Sequence, residues 1–231
     1  MSKLNIAPNE KYVRDIVTDY DALSERCDEF NIEKGNKDAQ EIILCLKNTI
    51  RSLGDDVTGL SANQIGFNKR IVCLNFNGQI KSFINPIITN VKGLEMSRET
   101  CHSDPGHTYI RPRNTVIDIT YQTPLGGIES TQLVGLAAKV MQHHMDHLDG
   151  ILLSDIGMEV TEDFDNATDE EREEVVRMYL DSLDVKEKDI QKAIEEDPEA
   201  QQMKEAARFI ESVQSGQTVL ENIDSNNTVE D

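Results

Sequence analysis

The chain has 231 residues, 38% of them hydrophobic, which is enough for one good-sized domain with an appendage. Its formal net charge of −20 at pH 7 argues against nucleic acid and anionic membranes as direct partners. No apolar run approaches the roughly 20 residues that span a bilayer. Four cysteines without CxxC spacing favour a reducing cytosol, so we expect a cytoplasmic protein.

The acidic residues are concentrated in the C-terminal part of the chain. Residues 158–231 contain 23 acidic and 7 basic side chains and carry −16 of the total charge, which leaves −4 for residues 1–157. We therefore predict one domain over 1–157 and an acidic, all-helical extension over 158–231 with a disordered end. Apolar residues at helical spacing predict three short helices in this extension, around 175–183, around 190–194 and after Pro198.

The first part of the chain begins with the patterns of a helix and a hairpin. Apolar residues at spacings of three and four predict a helix over 36–53, which should bury one face against a sheet. Residues 70–76 are typical of a buried strand, and Asn77-Gly78 is a strong signal for a hairpin turn. The returning strand, 80–88, contains Pro86, which predicts a sheet edge or a bulge.

Two more strands and a second helix follow. Residues 114–121 are rich in β-branched side chains, and a turn at 124–127 leads into a partner strand over 129–134. The next apolar pattern predicts a helix over 136–148, which should end at Gly150.

This second helix contains most of the histidine in the chain. Three of the five histidines fall within five positions, and His143 and His147, four residues apart, share one face of the helix. Two imidazoles so placed form half of a divalent metal site, for which Cys101 is a candidate third ligand. Such a pair also arises by chance in helices, but the clustering and the cysteine favour a metal.

A segment of small residues, Gly59-Leu60-Ser61-Ala62-Asn63-Gln64, lies between the first predicted helix and the first predicted strand. Small side chains let the backbone approach closely to a neighbouring strand or to a ligand. Composition alone leaves both alternatives open.

The chain resembles the peptide deformylase family in three segments with the family's order and separations. The family's motifs are Gly-Leu-Ala/Ser-Ala-x-Gln, Glu-Gly-Cys-x-Ser and Gln-His-Glu-x-Asp-His. The matching segments are residues 59–64, Glu99-Thr100-Cys101-His102-Ser103 and Gln142-His143-His144-Met145-Asp146-His147. The resemblance covers roughly residues 10–157. It implies an α+β fold with small antiparallel or mixed sheets around a central metal-binding helix, to which the acidic extension is added.

The resemblance also implies the metal ligands. In the family, residues at the positions of Cys101, His143 and His147 bind the metal and leave a fourth position open, as catalytic sites do. The family commonly uses Fe²⁺ and also binds Zn²⁺ or Ni²⁺, so we expect a divalent ion here, Fe²⁺ first. Glu99 matches the family glutamate that pairs with a downstream arginine, here Arg113.

Two groups that contact the substrate follow from the same resemblance. The side chain of Gln64 and the backbone N–H of His102 match the donors that hold the formyl oxygen while charge develops on it. Gly59 and Leu60 would border the substrate pocket. Leu136 and Val140, on the stripe of the histidine helix that carries the ligands, would line it for a methionine side chain, although both are equally compatible with an ordinary core position.

The chain departs from the family most seriously at His144, which stands where the family has the glutamate that moves protons. That role is worth about 10²–10⁴-fold in rate. Histidine is a base near neutral pH, but a nearby metal disfavours its protonated form. An imidazole ring can also bind a metal itself, which would fill the open position. Three alternatives stay open: a weaker base with low activity, a non-catalytic relative that binds metal, or an engineered or erroneous change in a normal enzyme.

The activity that the resemblance implies is hydrolysis of the N-formyl group of formyl-methionyl peptides or nascent chains. The alternative is a non-catalytic member that binds a peptide or a protein partner. A third class is an adaptor that acts through its C-terminal helices. The acidic extension could meet basic ribosomal surfaces, or it could simply aid solubility.

Overall fold

The computed structural model describes the backbone of residues 7–76 and 78–196 and, except for 32–36 and 184–196, their side chains. The helices in chain order are α1 (Tyr20–Leu23), α2 (Ile32–Leu53), α3 (Leu136–Leu148), α4 (Leu153–Ile156), α5 (Glu162–Asn166) and α6 (Asp169–Glu196). Single 3₁₀ turns lie at Glu10–Tyr12 and Asn63–Ile65. The strands are β1 (Gly59–Ser61), β2 (Ile71–Phe76), β3 (Gln79–Cys101), β4 (Asp104–Gln122), β5 (Ile128–Val134) and β6 (Met158–Glu159).

The six strands form one antiparallel sheet in the order β1-β2-β3-β4-β5, with β6 pairing with β4. The α+β prediction is confirmed. β2 and β3 form the predicted hairpin, since Phe76 pairs with Gln79, although Asn77 of its predicted turn lies outside the described residues. The irregularity predicted at Pro86 is also present, since the register of β3 against β4 shifts between Ile84 and Ile87.

Strands β3 and β4 are much longer than the sequence patterns predicted. The predicted strands ended at 88 and began at 114, whereas the observed ribbon continues to a tight turn between Cys101 and Asp104. The far part of this ribbon, residues 91–95, is exposed to solvent. With no buried face, these residues, which include the exposed Val91 and Leu94, show no regular hydrophobic alternation by which a strand could be recognised.

The core consists of two layers on opposite faces of β2. Alternate side chains of a strand point to opposite faces. Ile71 and Cys73 pack with α2, whose Leu46 and Ile50 are fully buried, whereas Val72 and Leu74 pack with α3. This arrangement explains why β2 begins with four consecutive apolar residues, 71–74, and it places α3 in the interior.

The C-terminal end of α3 is held by side chains from the first part of the chain. The last carbonyl groups of a helix have no partner within the helix. Here Asn63 Nδ2 donates to the carbonyl of His147 at 2.7 Å, and Arg70 Nη1 donates to that of Leu148 at 3.0 Å. Arg70 Nη1 also pairs with Asp149 Oδ1 at 2.6 Å. The end of the histidine helix is therefore fixed against β1 and β2.

The predicted division at residue 158 falls at β6, and part of the chain beyond it packs against the preceding domain. The first two helices predicted in the extension are one continuous helix, α6, because no glycine or proline interrupts residues 169–196. Tyr179 donates to the carbonyl of Ile156 at 2.7 Å, and Leu183 is buried, so the first half of α6 packs on the domain. The third predicted helix and the predicted disordered end lie outside the described residues.

Within the described part of the chain, no helix combines the length and the apolar character needed to cross a bilayer. All four cysteines are buried free thiols.

Replacement of Gly150 by alanine should destabilise the protein more than the matched replacement at Gly66. Both glycines have positive φ, 72° and 85°, but a Cβ at Gly150 would overlap the carbonyl group of Ser24, whereas a Cβ at Gly66 meets nothing within 4 Å. We expect Gly66→Ala to cost about 1 kcal/mol from backbone strain and Gly150→Ala about 1–3 kcal/mol more. Urea unfolding measures both, and equal losses would contradict the close contact of Gly150 with Ser24.

Candidate metal centre

The metal-ligand candidates come from two elements that the fold brings together. Helix α3 presents His143 and His147 on one face, and Cys101 is the last residue of β3. Cys101 Sγ lies 3.2 Å from His147 Nε2, and the donor atoms of the three side chains all lie within 4.8 Å of one another. All three residues are at least nine-tenths buried.

A divalent transition metal fits this set of donors. Metal–nitrogen bonds of about 2.1 Å and metal–sulfur bonds of about 2.3 Å separate tetrahedral ligands by roughly 3.4–3.6 Å. This separation lies between the 3.2 Å of the Cys101–His147 pair and the 4.8 Å within which all three donor atoms fall. Burial raises the pKa of the Cys101 thiol, but hydrogen bonds from His143 and His147 outweigh burial and lower this pKa to about 5. A thiolate is the form of cysteine that binds metal.

Behind the ligands, Glu99 fixes the orientation of one ring. Its carboxylate lies 3.1 Å from His143 Nδ1, which leaves Nε2 of that ring for the metal. Arg113 donates two hydrogen bonds to the same carboxylate, Nε to Oε1 at 2.7 Å and Nη2 to Oε2 at 2.9 Å. The pairing of Glu99 with Arg113 that the resemblance implied is therefore present. Burial raises the pKa of Glu99, and the bonds from Arg113 and His143 outweigh it, so that this pKa lies far below its usual range.

The arginine also ties the sheet to the helix. Arg113 Nη1 donates to Asp146 Oδ2 at 2.6 Å, and Arg111 Nη1 donates to the same oxygen at 2.9 Å. Gln142, one turn earlier on α3, exchanges two hydrogen bonds with the backbone of Asn114, at 3.0 and 2.8 Å. These contacts join α3 to β4. The roles of Asp146 and Arg111 were not predicted, although Asp146 belongs to the third motif.

Gln64 lies beside the thiolate with its amide orientation fixed. Its Oε1 accepts from the backbone N–H of Ser61 at 3.0 Å. Its Nε2 therefore points the other way, to Ser103 Oγ at 3.2 Å and Cys101 Sγ at 3.5 Å. His102 and Ser103 form the turn that joins β3 to β4, so the backbone of His102 adjoins the thiolate while its side chain is exposed.

His144 lies in the same cluster but outside the ligand set. Its ring centroid is 5.1 Å from that of His143 and 6.3 Å from that of His147, and its side chain is buried against β1. A Cβ built on Gly59 would lie 2.7 Å from His144 Nε2, so only glycine leaves room for this ring. Among the described residues, nothing hydrogen-bonds to His144 Nδ1. Burial first, and then the nearby charges of His143 and His147, lower the pKa of His144 well below its usual value.

A cavity of about 420 Å³ opens onto the cluster. Its walls are formed by residues of β1 and the segment before it, the end of β3, and the exposed first turns of α3. Gly59, Leu136 and Val140 line it, as do Gln64, Cys101, His102, His143 and His144. Ten residues chosen from sequence thus include eight on the cavity wall.

The other two chosen residues lie elsewhere. His147 is the most deeply buried of the three candidate ligands, at 3% exposed, and is not among the residues that line the cavity. Leu60 does not line the cavity, and its assignment to the substrate pocket needs correction: because it follows Gly59 on β1, its side chain points to the opposite face and is fully buried in the core beside α2. Conversely, Arg98 and Lys139 line the cavity and were not predicted. No sequence pattern marks either residue, because residues 1–157 contain 16 basic side chains.

Comparisons with known proteins agree with this geometry. The family model described as polypeptide deformylase matches residues 13–162. A peptide deformylase of Dictyoglomus turgidum is 32% identical over 128 residues, 53% of this chain and 84% of that protein. One of Pelotomaculum thermopropionicum is 37% identical over 94 residues, 41% of this chain, and the match spans only 61% of that relative.

Solved structures show the same similarity. The peptide deformylase of Thermotoga maritima superposes with a TM-score of 0.58 at 28% identity, covering 62% of this chain and 96% of that one. The enzyme of Synechococcus elongatus, solved in complex with actinonin, gives a TM-score of 0.56 at 26% identity, covering 66% of this chain and 81% of that one. The fold, the Cys-His-His cluster and the family match together identify the chain as a member of the peptide deformylase family.

Proposed function

We propose that this protein hydrolyses the N-formyl group of formyl-methionyl peptides, including nascent chains, and releases formate. The observation that carries the proposal is the thiolate and two imidazoles at the bottom of a cavity, with the amide N–H group of Gln64 aimed at the same point. A divalent ion held there would polarise a carbonyl and supply a nucleophilic water near neutral pH. We propose Fe²⁺, with Zn²⁺ or Ni²⁺ as substitutes.

Two hydrogen-bond donors of the protein would bind the formyl oxygen. Gln64 Nε2 and the backbone N–H of His102 would donate to this oxygen as its negative charge grows. Donors that are already oriented lower the barrier without a reorganisation cost at the moment of reaction. The Oε1 bond from Ser61 keeps the Gln64 amide from turning over, since the reversed amide would direct an oxygen at the substrate oxygen.

The cavity fits an extended peptide. Leu136 and Val140 provide apolar wall for a methionine side chain. Among the described residues, β1 pairs only with β2, and β3 pairs with β2 only as far as Ile84, so both strands have a free edge beside the cavity. Free strand edges bind extended peptides through main-chain hydrogen bonds.

His144 sets the expected rate. Hydrolysis requires a group that takes a proton from water and gives it to the departing amine. The lowered pKa of His144 keeps its ring neutral near neutral pH and makes the ring a poor carrier of that proton. We therefore propose slow turnover. The same observation favours a second candidate function, a non-catalytic member that binds formyl peptides without cleaving them.

We also propose the compartment in which the protein acts and a partner for its acidic extension. We place the protein in the cytoplasm, where its four free thiols would remain reduced. The acidic extension, with a net charge of −16 over 158–231, offers a surface for basic ribosomal proteins.

Metal content tests the ligand set independently of turnover. Protein purified under anaerobic conditions should contain about one transition ion per chain, measured by elemental analysis. Cys101→Ala should lose it, because removal of the thiolate leaves two neutral rings. Cys45→Ala removes an equally buried thiol outside the cluster and should retain the ion. Loss of metal from both variants, or from neither, would contradict the proposed site.

His144→Glu should raise the rate of formate release from a formyl-Met peptide by about 10²–10⁴-fold over the wild type, because it restores an ionised carboxylate that can carry the proton. Coupled formate assays on the Fe²⁺-loaded proteins measure the difference. Gln64→Leu in the His144→Glu background should remove most of the gain. If both proteins hold metal and neither releases formate, the hydrolase proposal is wrong and the binding candidate replaces it.

A further inference from the structure

Arg98 lies on the cavity wall, on the part of β3 that leads to the thiolate. Glu99 and Cys101 point towards α3 and the metal site, so Arg98, between Ser97 and Glu99 on the strand, has the opposite direction. Its side chain is 54% exposed. Arg98 is therefore a solvent-accessible residue of the cavity lining whose side chain does not face the metal site.

The partner of Arg98 comes from beyond the segment that the family model matches, residues 13–162. Arg98 pairs with Ile110 on β4, and Ile110 pairs with Met158 on β6. The chain then turns into α5, whose Asp165 accepts two bonds from Arg98, Nη1 to Oδ1 at 3.0 Å and Nη2 to Oδ2 at 3.1 Å. This is the geometry in which arginine recognises a carboxylate.

Asp165 is positioned without help from Arg98. The hydroxyl of Thr161 accepts from the backbone N–H of Phe164 and caps the start of α5 at 3.3 Å. At the other end, Arg172 of α6 donates to the carbonyl of Phe164 at 3.0 Å and to that of Asp165 at 2.6 Å. The extension therefore fixes the backbone that carries Asp165 beside a cavity-lining arginine.

The pair is open to exchange. Asp165 is 51% exposed and Arg98 is 54% exposed, and ion pairs so exposed to water contribute little to stability. A carboxylate on a bound ligand could therefore replace that of Asp165 on the same guanidinium fork. The second cavity-lining cation, Lys139, is a poorer candidate, since its side chain is only 17% exposed and pairs with Glu95 at 3.2 Å.

We propose that Arg98 is a specificity-determining residue that favours peptides bearing a carboxylate beyond their first residue, and that Asp165 competes with this carboxylate for Arg98. The proposal rests on the proposed function, because it assumes that a peptide with its first residue at the metal occupies the cavity. The carboxylate has two sources, an acidic side chain or the free C-terminus of a short peptide. The extension thus adjusts which substrates are bound.

Equilibrium binding to the metal-loaded protein tests the proposal. The probes are methionyl tripeptides capped with a hydroxamate, a group that binds metal and is not hydrolysed. One arm compares aspartate with asparagine at the second or third position in C-terminally amidated peptides. The other arm compares the free C-terminal acid with its amide. Calorimetric titration gives the dissociation constant of each peptide for the wild type and each variant.

The wild type should bind the carboxylate member of at least one pair about 3- to 10-fold more tightly than the neutral member. Arg98→Gln should abolish this preference, and Asp165→Asn should increase it, because the competing carboxylate is gone. Asp163→Asn, on the same helix, and Arg177→Gln, on α6, change the net charge equally and should leave the preference as it is.

The opposite signs of the two variants distinguish competition from a structural role. If Arg98→Gln and Asp165→Asn shift the affinity of all peptides in the same direction, the pair is structural and the proposal is wrong. Equal binding of charged and neutral peptides by the wild type would also overturn it. Failure of every peptide to bind would overturn the proposed function together with it.

Discussion

The metal centre depends on one buried carboxylate, that of Glu99. It lies between the guanidinium of Arg113 and the Nδ1 of His143, and all three groups are almost fully removed from water. An unpaired buried charge in this position would cost folding free energy, and the ion pair with Arg113 offsets that cost. The carboxylate of Glu99 in turn orients the ring of His143. Since Arg113 also binds Asp146 on α3, the same arginine fixes the helix that carries both imidazoles.

His144 shows how the surroundings limit what a substitution can do chemically. The ring fits only because residue 59 has no side chain, and it is enclosed by β1 and by its neighbours on α3. A glutamate in this position would keep its charge by proximity to a bound cation, whereas an imidazole loses its charge for the same reason. Under the proposed function, one change of residue type would leave the binding groups intact and alter the proton-transfer step alone.

Much of the site could be predicted from sequence because its residues lie in short motifs with fixed spacing. The i, i+4 relation of His143 and His147 needs only helical geometry, and Cys101 was already a candidate ligand by its residue type. The resemblance supplied Gln64 and the pairing of Glu99 with Arg113. Side-chain direction was harder. Leu60 follows Gly59 immediately, yet the alternation of β1 sends it into the core, and this alternation is invisible in a three-residue strand.

Features that depend on distant contacts could not be predicted. The long ribbon of β3 and β4 is stabilised by pairing between strands whose outer part is exposed to solvent, so no local alternation of buried and exposed residues indicates it. Helix α6 continues where two helices were predicted, because a gap in the apolar stripe does not end a helix that has no glycine or proline. The bond between Arg98 and Asp165 joins residues 67 positions apart, and neither position stands out in the sequence.

The central claim is that one thiolate and two imidazoles bind the cation while the third imidazole stays off it. X-ray absorption at the metal edge of the loaded protein measures the coordinating atoms directly. The predicted result is one sulfur at about 2.3 Å and two imidazole nitrogens at about 2.1 Å, with any further ligand a light atom outside an imidazole ring. A shell without sulfur, or one with three imidazoles, would contradict the account.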